Sequence, residues 1–487
     1  MNNPIGNEFL DDHDSELSSW KEECAVIGVW NHDEAAKLSY LGLYAMQHRG
    51  QESSGVVSLD QGEHRVHKGM GLVGDVYNDA VLDTLKGMAA IGHNRYSTTG
   101  QNHLANCQPL TAGLRWGPVA VAHNGNIVNS ASLRKELQEM GAIFQGTTDT
   151  ELFLHFISRS SEKNLISLLP QVLSKVVGAY SLVFLTKDSM IAVRDPYGFR
   201  PLVLGMKANA VGETSYVVAS ETCALDLIGA QYVRELEPGE IFWCDAQGTH
   251  TAHLPKAPRG ARCIFEHVYF ARPDSIVFGQ SVYESRKQFG RWLARENPVD
   301  ADVVIPVPDS GVPAALGYAS ESGVPFEFGI IRNHYVGRTF IQPQQAIRAF
   351  GVKVKLNPQT AVLAGKKVVV VDDSLVRGTT SQKIIRMIRQ AGAKEVHMRI
   401  ASPPTTGPCY YGVDTPQKSH LIAANQSLEE IRQFIEADSL SYLSMTGLYE
   451  AVHADSKSFC AACFDGEYPT QLEDDFNSTA VNAIQAR

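Results

Sequence analysis

The sequence predicts two unlike halves: an α+β half over residues 24–255, then an α/β half built on a parallel sheet over 256–425, with a helical segment and tail over 426–487. Three observations carry this reading. Between 24 and 255, short β-rich runs (24–30, 119–122, 180–185 and 190–193) mix with helical patterns, one of which sets Leu133, Leu137 and Met140 on a single face. Past Pro255-Lys-Ala-Pro-Arg-Gly-Ala, which reads as a hinge, apolar strands at 303–307, 366–371 and 396–401 alternate with helices near 313–320 and 381–391. Such βαβ alternation implies a parallel sheet. After Ser402-Pro-Pro the pattern turns helical, with a capping box at Ser427 and Glu430 ahead of Ile431, Phe434 and Ile435, and 465–487 reads as loosely ordered.

Composition narrows the function classes. The chain has 487 residues, enough for two to four domains with full cores. No apolar run approaches the ~18 residues that span a bilayer, so no membrane role is expected. A formal charge of −10 offers no basic field for nucleic acid, while small anionic substrates remain acceptable. Eight cysteines are too few for a disulfide scaffold in so long a chain, and Cys460-Ala-Ala-Cys463 is a spacing for metal or redox chemistry in a reducing compartment. A cytoplasmic location is expected. Residues 1–23 are acidic and lack both a basic leader and an apolar core, so they do not form a secretory signal.

Residues 368–380, Val-Val-Val-Val-Asp-Asp-Ser-Leu-Val-Arg-Gly-Thr-Thr, read as a buried strand, a carboxylate pair and a phosphate-cradling turn. Four β-branched residues suit a strand covered on both faces, and the loop after such a strand emerges where open α/β sheets bind ligands. Asp372, Asp373, Ser374, Arg377, Gly378, Thr379 and Thr380 then lead into a helix, whose free N–H groups form an anion site. The ionised carboxylates can accept from ribose hydroxyls or contact a divalent cation. The stretch resembles the phosphoribosyl pyrophosphate loop of type I phosphoribosyltransferases. Two more segments fit that resemblance. Pro308-Asp309-Ser310-Gly311 lies between a strand and a helix and suits the pyrophosphate. The cation-rich stretch 332–355, with Arg332, Arg338 and Lys355, reads as a mobile lid that excludes water and meets the departing pyrophosphate. Ser310, Asp372 and Asp373 are the candidate contacts to Mg²⁺.

In the first half, Cys24 begins a strand and would be unremarkable alone. Downstream lie His48-Arg49-Gly50-Gln51, Gly92-His93-Asn94-Arg95-Tyr96-Ser97-Thr98, His123-Asn124-Gly125-Asn126 and Thr148-Asp149-Thr150-Glu151. In that order they resemble the glutamine amidotransferase domain of the N-terminal nucleophile hydrolases, which implies a four-layer αββα architecture. The resemblance implies Cys24 as nucleophile, the Asn124 side chain and Gly125 N–H as oxyanion hole, Arg95 on the glutamine α-carboxylate and Asp149 on its α-ammonium. Arg49 and Thr98 complete the glutamine-binding set. An α-amino base exists only if residue 24 begins the mature chain, so removal of residues 1–23 as a propeptide is expected.

Joined in this order, the halves resemble the glutamine phosphoribosylpyrophosphate amidotransferases. That resemblance implies conversion of glutamine, phosphoribosyl pyrophosphate and water to 5-phosphoribosylamine, glutamate and pyrophosphate, the first committed step of purine synthesis. Ammonia would pass between the sites along an apolar route lined by Tyr335, Phe340 and Ile341. Four thiolates suffice for either zinc or an iron–sulfur cluster. The resemblance assigns Cys263, Cys409, Cys460 and Cys463 to one four-iron, four-sulfur cluster, and it implies purine nucleotides as feedback inhibitors and a homotetramer. Cys107, Cys223 and Cys244 are expected to be packing residues. An amidotransferase for amino sugars or asparagine would need a different second half, and a non-enzymatic nucleotide-binding regulator would have no use for Cys24 with Arg95, Asn124 and Asp149.

Overall fold

The computed structural model describes residues 24–96, 103–115, 117–162, 164–333, 356–413, 415, 417–453 and 455–472. Inner strands of the first half, such as Ala25–Trp30 and Gly178–Thr186, are buried almost throughout because both their faces are covered, whereas Glu63–Met70 and Gly248–His253 at the sheet margins are polar and partly exposed. The strands form two sheets. The seven-stranded sheet runs Gln231–Glu235, Val203–Ala208, Thr214–Ala219, Ala25–Trp30, Ala89–Arg95, Ser53–Asp60, Glu63–Met70, and the six-stranded sheet runs Gly248–His253, Glu240–Asp245, Ser189–Arg194, Gly178–Thr186, Gly117–Ile127, Leu110–Leu114. Neighbours are antiparallel, as in the register Ile27↔Gly92 and Ala122↔Val183.

Period-two alternation sorts each strand's side chains. Val26, Ile91, Ala122, Val183 and Val218 fill the space between the sheets. Ile27 and Val29 face the other way, onto helices Ala35–Ala45 and Thr222–Ile228 through Leu38, Leu43 and Leu225. On the far sheet, Val119, Val121 and Phe184 meet Phe153 and Leu169 of helices Glu151–Arg159 and Leu165–Leu173. The layers are therefore helix, sheet, sheet, helix, as expected for this half.

The second half has a four-stranded, all-parallel sheet in the order Val303–Pro306, Lys367–Asp372, Glu395–Ile400, Ser439–Tyr442. Val368 to Val371 are fully buried. Val369 and Val371 pack toward helices Val282–Glu296 and Val312–Ser322, while Val368 and Val370 pack toward Thr379–Gln390 and Leu428–Ile435. At roughly 1.5–3 kcal/mol for each fully buried aliphatic side chain, this strand anchors the half. The capping box at Ser427 and Glu430 is formed in both directions.

Several expectations change. Met140 lies past the end of helix Ser130–Glu139 and is 53% exposed, so only Leu133 and Leu137 make the buried stripe. Phe434 is 36% exposed beside the better buried Ile431 and Ile435. Immediately past 260 the chain is not a free hinge, because Ala261 N–H donates to Tyr197 O and Cys263 N–H to Phe199 O at 2.9 and 3.1 Å. The region read as helical contributes Ser439–Tyr442 to the parallel sheet, so packing does not part at residue 425. Residues 1–23, Thr98, the lid residues Tyr335, Arg338, Phe340, Ile341 and Lys355, and the tail from 473 lie outside the described residues.

Candidate active sites and cysteine centre

Cys24 immediately precedes strand Ala25–Trp30, whose partner strand ends at Arg95, so the register Ala25↔Asn94 brings thiol and guanidinium to one sheet edge. The Cys24 side chain is only 7% exposed and its Sγ lies 3.4 Å from Tyr96 O. Burial pushes the thiol up to about 11, against the Tyr96 contact and the nearby Arg95. Such a thiol needs a base before it can attack.

Strand Gly117–Ile127 of the second sheet supplies the opposite wall. Gly125 has φ +147°, and a Cβ there would lie 2.1 Å from Ala179 O, so only glycine fits. Asn124 Nδ2 reaches Ser220 Oγ at 3.5 Å, and that hydroxyl accepts from Val26 N–H at 3.0 Å, which places the amide at the base of the nucleophile strand. Asp149 accepts from Ile127 N–H at 2.9 Å and lies 3.6 Å from His123 Nδ1. Burial alone would raise the Asp149 carboxyl, but His123 and its hydrogen bonds outweigh that and hold it below the usual range. His123 Nε2 faces Ala179 O at 3.3 Å; a carbonyl only accepts, so Nε2 carries hydrogen.

Arg95 is buried and lies 3.6 Å from Glu52. Arg49 differs from expectation. Its Nε donates to the Cys24 carbonyl at 3.1 Å, Nη1 to Glu221 at 2.6 Å and Glu266 at 2.9 Å, and Nη2 to Glu266 at 2.7 Å. The guanidinium is thus spent on holding the nucleophile's backbone rather than turned to glutamine. Burial opposes ionisation of Glu221, but His48 and Arg49 overcome it and hold that carboxyl far below its usual range.

In the second half, strands Val303–Pro306 and Lys367–Asp372 are adjacent and parallel, so the loops after both leave the same carboxyl edge. Asp373 N–H donates to Asp372 Oδ1 at 3.0 Å and Ser374 Oγ to Asp373 Oδ1 at 2.6 Å. Asp372 is pushed well up by burial and by Asp373; burial also raises Asp373, with Ser310, Ser374 and Arg286 pulling the other way. Both carboxyls therefore ionise less readily than an ordinary aspartate, and a bound cation would favour the ionised pair. Gly378, at φ +76°, starts helix Thr379–Gln390 and presents the first N–H groups with Thr379 and Thr380. Arg377 Nε is buried without a hydrogen-bond partner among the described residues. At Gly311 a Cβ would come within 2.4 Å of Val371 O, so the two loops touch through backbone. Arg332 Nη1 pairs with Asp309 at 2.6 Å, both half exposed.

Arg286, missed in the sequence, sits on the buried face of helix Val282–Glu296 beside Asp373, and donates to the carbonyls of His267, Tyr269 and Ala271. Its signal was an arginine in the apolar stripe Val282, Phe289, Leu293, where a lone cation needs buried acceptors.

Cys263, Cys409, Cys460 and Cys463 line one cavity of about 20 Å³ walled by Phe199, Phe265, Tyr411 and Tyr468. The parallel pair Arg262–Cys263 and Phe459–Cys460 sets Cys263 and Cys460 side by side, and Tyr411 N–H donates to Cys409 Sγ at 3.3 Å. All four are free thiols. Burial pushes Cys460 up to about 12 and, with the other three sulfurs, raises Cys463 further. Among the described residues no group of three His, Cys, Asp or Glu is placed to hold a single metal ion. Cys107, Cys223 and Cys244 are buried in packing positions.

Residues 93–226 match the glutamine amidotransferase domain model and residues 287–403 the phosphoribosyl transferase domain model. The class is therefore a glutamine amidotransferase fused to a phosphoribosyltransferase. The chain is 54% identical to the chloroplastic amidophosphoribosyltransferase of Vigna aconitifolia over 98% of its own length and 97% of that protein. It is 47% identical to amidophosphoribosyltransferase of Bacillus subtilis, covering 95% of this chain and 97% of that one. The solved glutamine phosphoribosylpyrophosphate amidotransferase from B. subtilis, complexed with ADP and GMP, superposes with TM-score 0.88 at 47% identity over 93% of this chain and 98% of that one. The chain belongs to the amidophosphoribosyltransferase family, glutamine-dependent enzymes of the first step of purine biosynthesis. No helix among the described residues is long and apolar enough to cross a membrane.

Proposed function

We propose that Cys24 attacks the glutamine side-chain amide and that the released ammonia displaces pyrophosphate from phosphoribosyl pyrophosphate held by the second half. The observation that carries this reading is that Cys24 and Arg95, on paired strands of the first sheet, meet Asn124 and Gly125 of the second sheet, with Asp149 close enough for its charge to act on the thiol. Arg95 takes the substrate α-carboxylate, and Asp149, held ionised, takes the α-ammonium. Thiolate addition to the amide carbon puts negative charge on its oxygen, which the Asn124 amide and Gly125 N–H stabilise. The C–N bond breaks with proton transfer to nitrogen, giving ammonia and a thioester. Water then hydrolyses the thioester to glutamate and restores the thiol. With residues 1–23 removed, the free amine of Cys24 relays these protons near neutral pH.

Ammonia adds to ribose C1, the C1–O bond to pyrophosphate breaks, and nitrogen loses a proton to give 5-phosphoribosylamine. Gly378, Thr379, Thr380, Ser374 and Arg377 hold the 5-phosphate; Asp309, Ser310, Gly311 and Arg332 face the pyrophosphate, for which the sequence also offers Arg338 and Lys355. The adjacent buried carboxyls of Asp372 and Asp373, whose ionisation burial disfavours, would with Ser310 hold Mg²⁺, which would neutralise charge on the leaving pyrophosphate. Four thiols lining one cavity would hold a four-iron, four-sulfur cluster, with a role in tying residues 409 and 460–463 to residue 263. A bound nucleotide in a related enzyme supports inhibition by purine nucleotides, whose 5-phosphoribose matches the substrate's. A first domain over 24–255, a second from 256 whose sheet takes in Ser439–Tyr442, and a homotetramer complete the reading. The plant relatives are chloroplastic, and the free cysteines suit the reducing interior of plastid or cytoplasm alike.

Glutamate release measured with and without phosphoribosyl pyrophosphate and Mg²⁺ tests this function. Stimulated release together with phosphoribosylamine formation is expected; release that ignores the sugar phosphate would reduce the chain to a free-standing glutaminase.

A further inference from the structure

Two fully buried carboxylates flank Arg49, and they come from different halves of the chain. Glu221 belongs to the first half. Glu266 lies past the linker, on the π-helical turn Glu266–Phe270, and receives two hydrogen bonds from Arg49 in a paired, fork-like geometry, at 2.7 and 2.9 Å. With that side of the guanidinium occupied, Nε points at the Cys24 carbonyl, 3.1 Å away. Glu266 is itself held from behind. Arg200 Nη1 approaches its Oε1 at 3.4 Å, while Arg200 Nε and Nη2 grip the Tyr411 carbonyl at 3.0 and 2.6 Å.

We infer that Glu266, supplied by the phosphoribosyltransferase half, is a positioning residue for the glutaminase half: it aims Arg49 at the Cys24 carbonyl and so fixes where the thiol sits. The inference rests on Cys24 being the nucleophile. An arginine has a rigid planar fork, so withdrawing one paired carboxylate frees it to rotate about its long stem. The Cys24 carbonyl then loses its buried donor, and the side chain on the same residue loses its fixed relation to Gly125 and Asn124. Glutamine recognition is the task of Arg95 and Asp149, whereas Glu266 acts through Arg49 on the Cys24 backbone. The loss therefore falls on turnover rather than on substrate affinity.

The test is E266Q in the full-length holoenzyme, which keeps the side chain's shape while turning one acceptor into a donor facing a guanidinium. Glutamine hydrolysis is measured beside ammonia-dependent phosphoribosylamine formation, which uses neither Cys24 nor Arg49. A fall in glutaminase kcat of up to ~10²-fold, as ångström-scale misplacement produces, with KM for glutamine and the ammonia-dependent rate within about two-fold, supports the inference. E266D, which keeps the charge, then recovers part of the loss. Unchanged glutaminase kcat overturns it, as does a parallel fall of both activities, which marks Glu266 as a purely structural support. If E266Q does not fold, E266D decides alone, since a kcat loss confined to glutamine is still required of it. Absence of both activities in the wild type would instead overturn the functional reading, not this one.

Discussion

The two centres handle charge in opposite ways. Around Cys24 the charged groups already have partners: Arg49 lies between Glu221 and Glu266, and Asp149 against His123 and the Ile127 N–H. At the parallel-sheet edge the charges are left unbalanced, with two adjacent buried acids whose ionisation is disfavoured and Arg377 Nε lacking a partner among the described residues. A preorganised site costs nothing at the moment of reaction, whereas an unbalanced one is completed by its ligand. The glutaminase centre is thus built for chemistry on a neutral amide, and the second centre for gripping a polyanion with its metal.

This contrast predicts different failures. Gly125→Ala forces a Cβ toward Ala179 O and distorts the oxyanion wall, so glutaminase turnover should fall roughly 10²–10³-fold while ammonia-dependent synthesis persists. If both fall together in steady-state assays, the centres are not separable. Asp373→Asn should do the reverse of Gly125→Ala at the second centre, lowering synthesis from either nitrogen source by about 10–10²-fold with a higher Mg²⁺ requirement. Equal Mg²⁺ dependence in wild type and variant would remove Asp373 from the metal site.

A smaller effect separates the centres by pH. Asp372 and Asp373 have folded pKa values above the ordinary carboxyl value, so ionising them works against the metal-free fold. Metal-free stability from this pair is therefore recovered as pH falls from the raised folded value toward the ordinary one. Mg²⁺ competes with protons for this pair, so its thermal stabilisation should grow as pH rises from the ordinary carboxyl range through the raised folded values; scanning calorimetry of wild type and Asp373→Asn over a pH series checks both signs. The smallest effect belongs to neither centre: Ser427→Ala breaks the capping box and should cost about 1 kcal/mol in denaturant unfolding, with both activities intact.

What was legible in the sequence follows the same divide. Motifs whose parts are neighbours in the chain, such as 372–380 and 123–125, could be read because strand, turn and helix start succeed one another within a few residues. Partners that meet only in space could not. Glu266 lay within a segment noted only for Cys263, and its value depends on Arg49 and Arg200, 217 and 66 residues away. Arg49 was assigned to glutamine because the motif says it matters, not which way it points. Strand Ser439–Tyr442 escaped because it contains one well-buried apolar residue, Leu440, and takes its register entirely from Glu395–Ile400. Met140 obeyed the helical spacing, but the helix stops one residue short of it.

The most direct test of two dissimilar centres in one chain is Cys24→Ala assayed with glutamine and with ammonia as nitrogen donor. The account predicts glutamine-dependent phosphoribosylamine formation at background and ammonia-dependent formation within about two-fold of wild type. Retention of the glutamine-dependent reaction would contradict it.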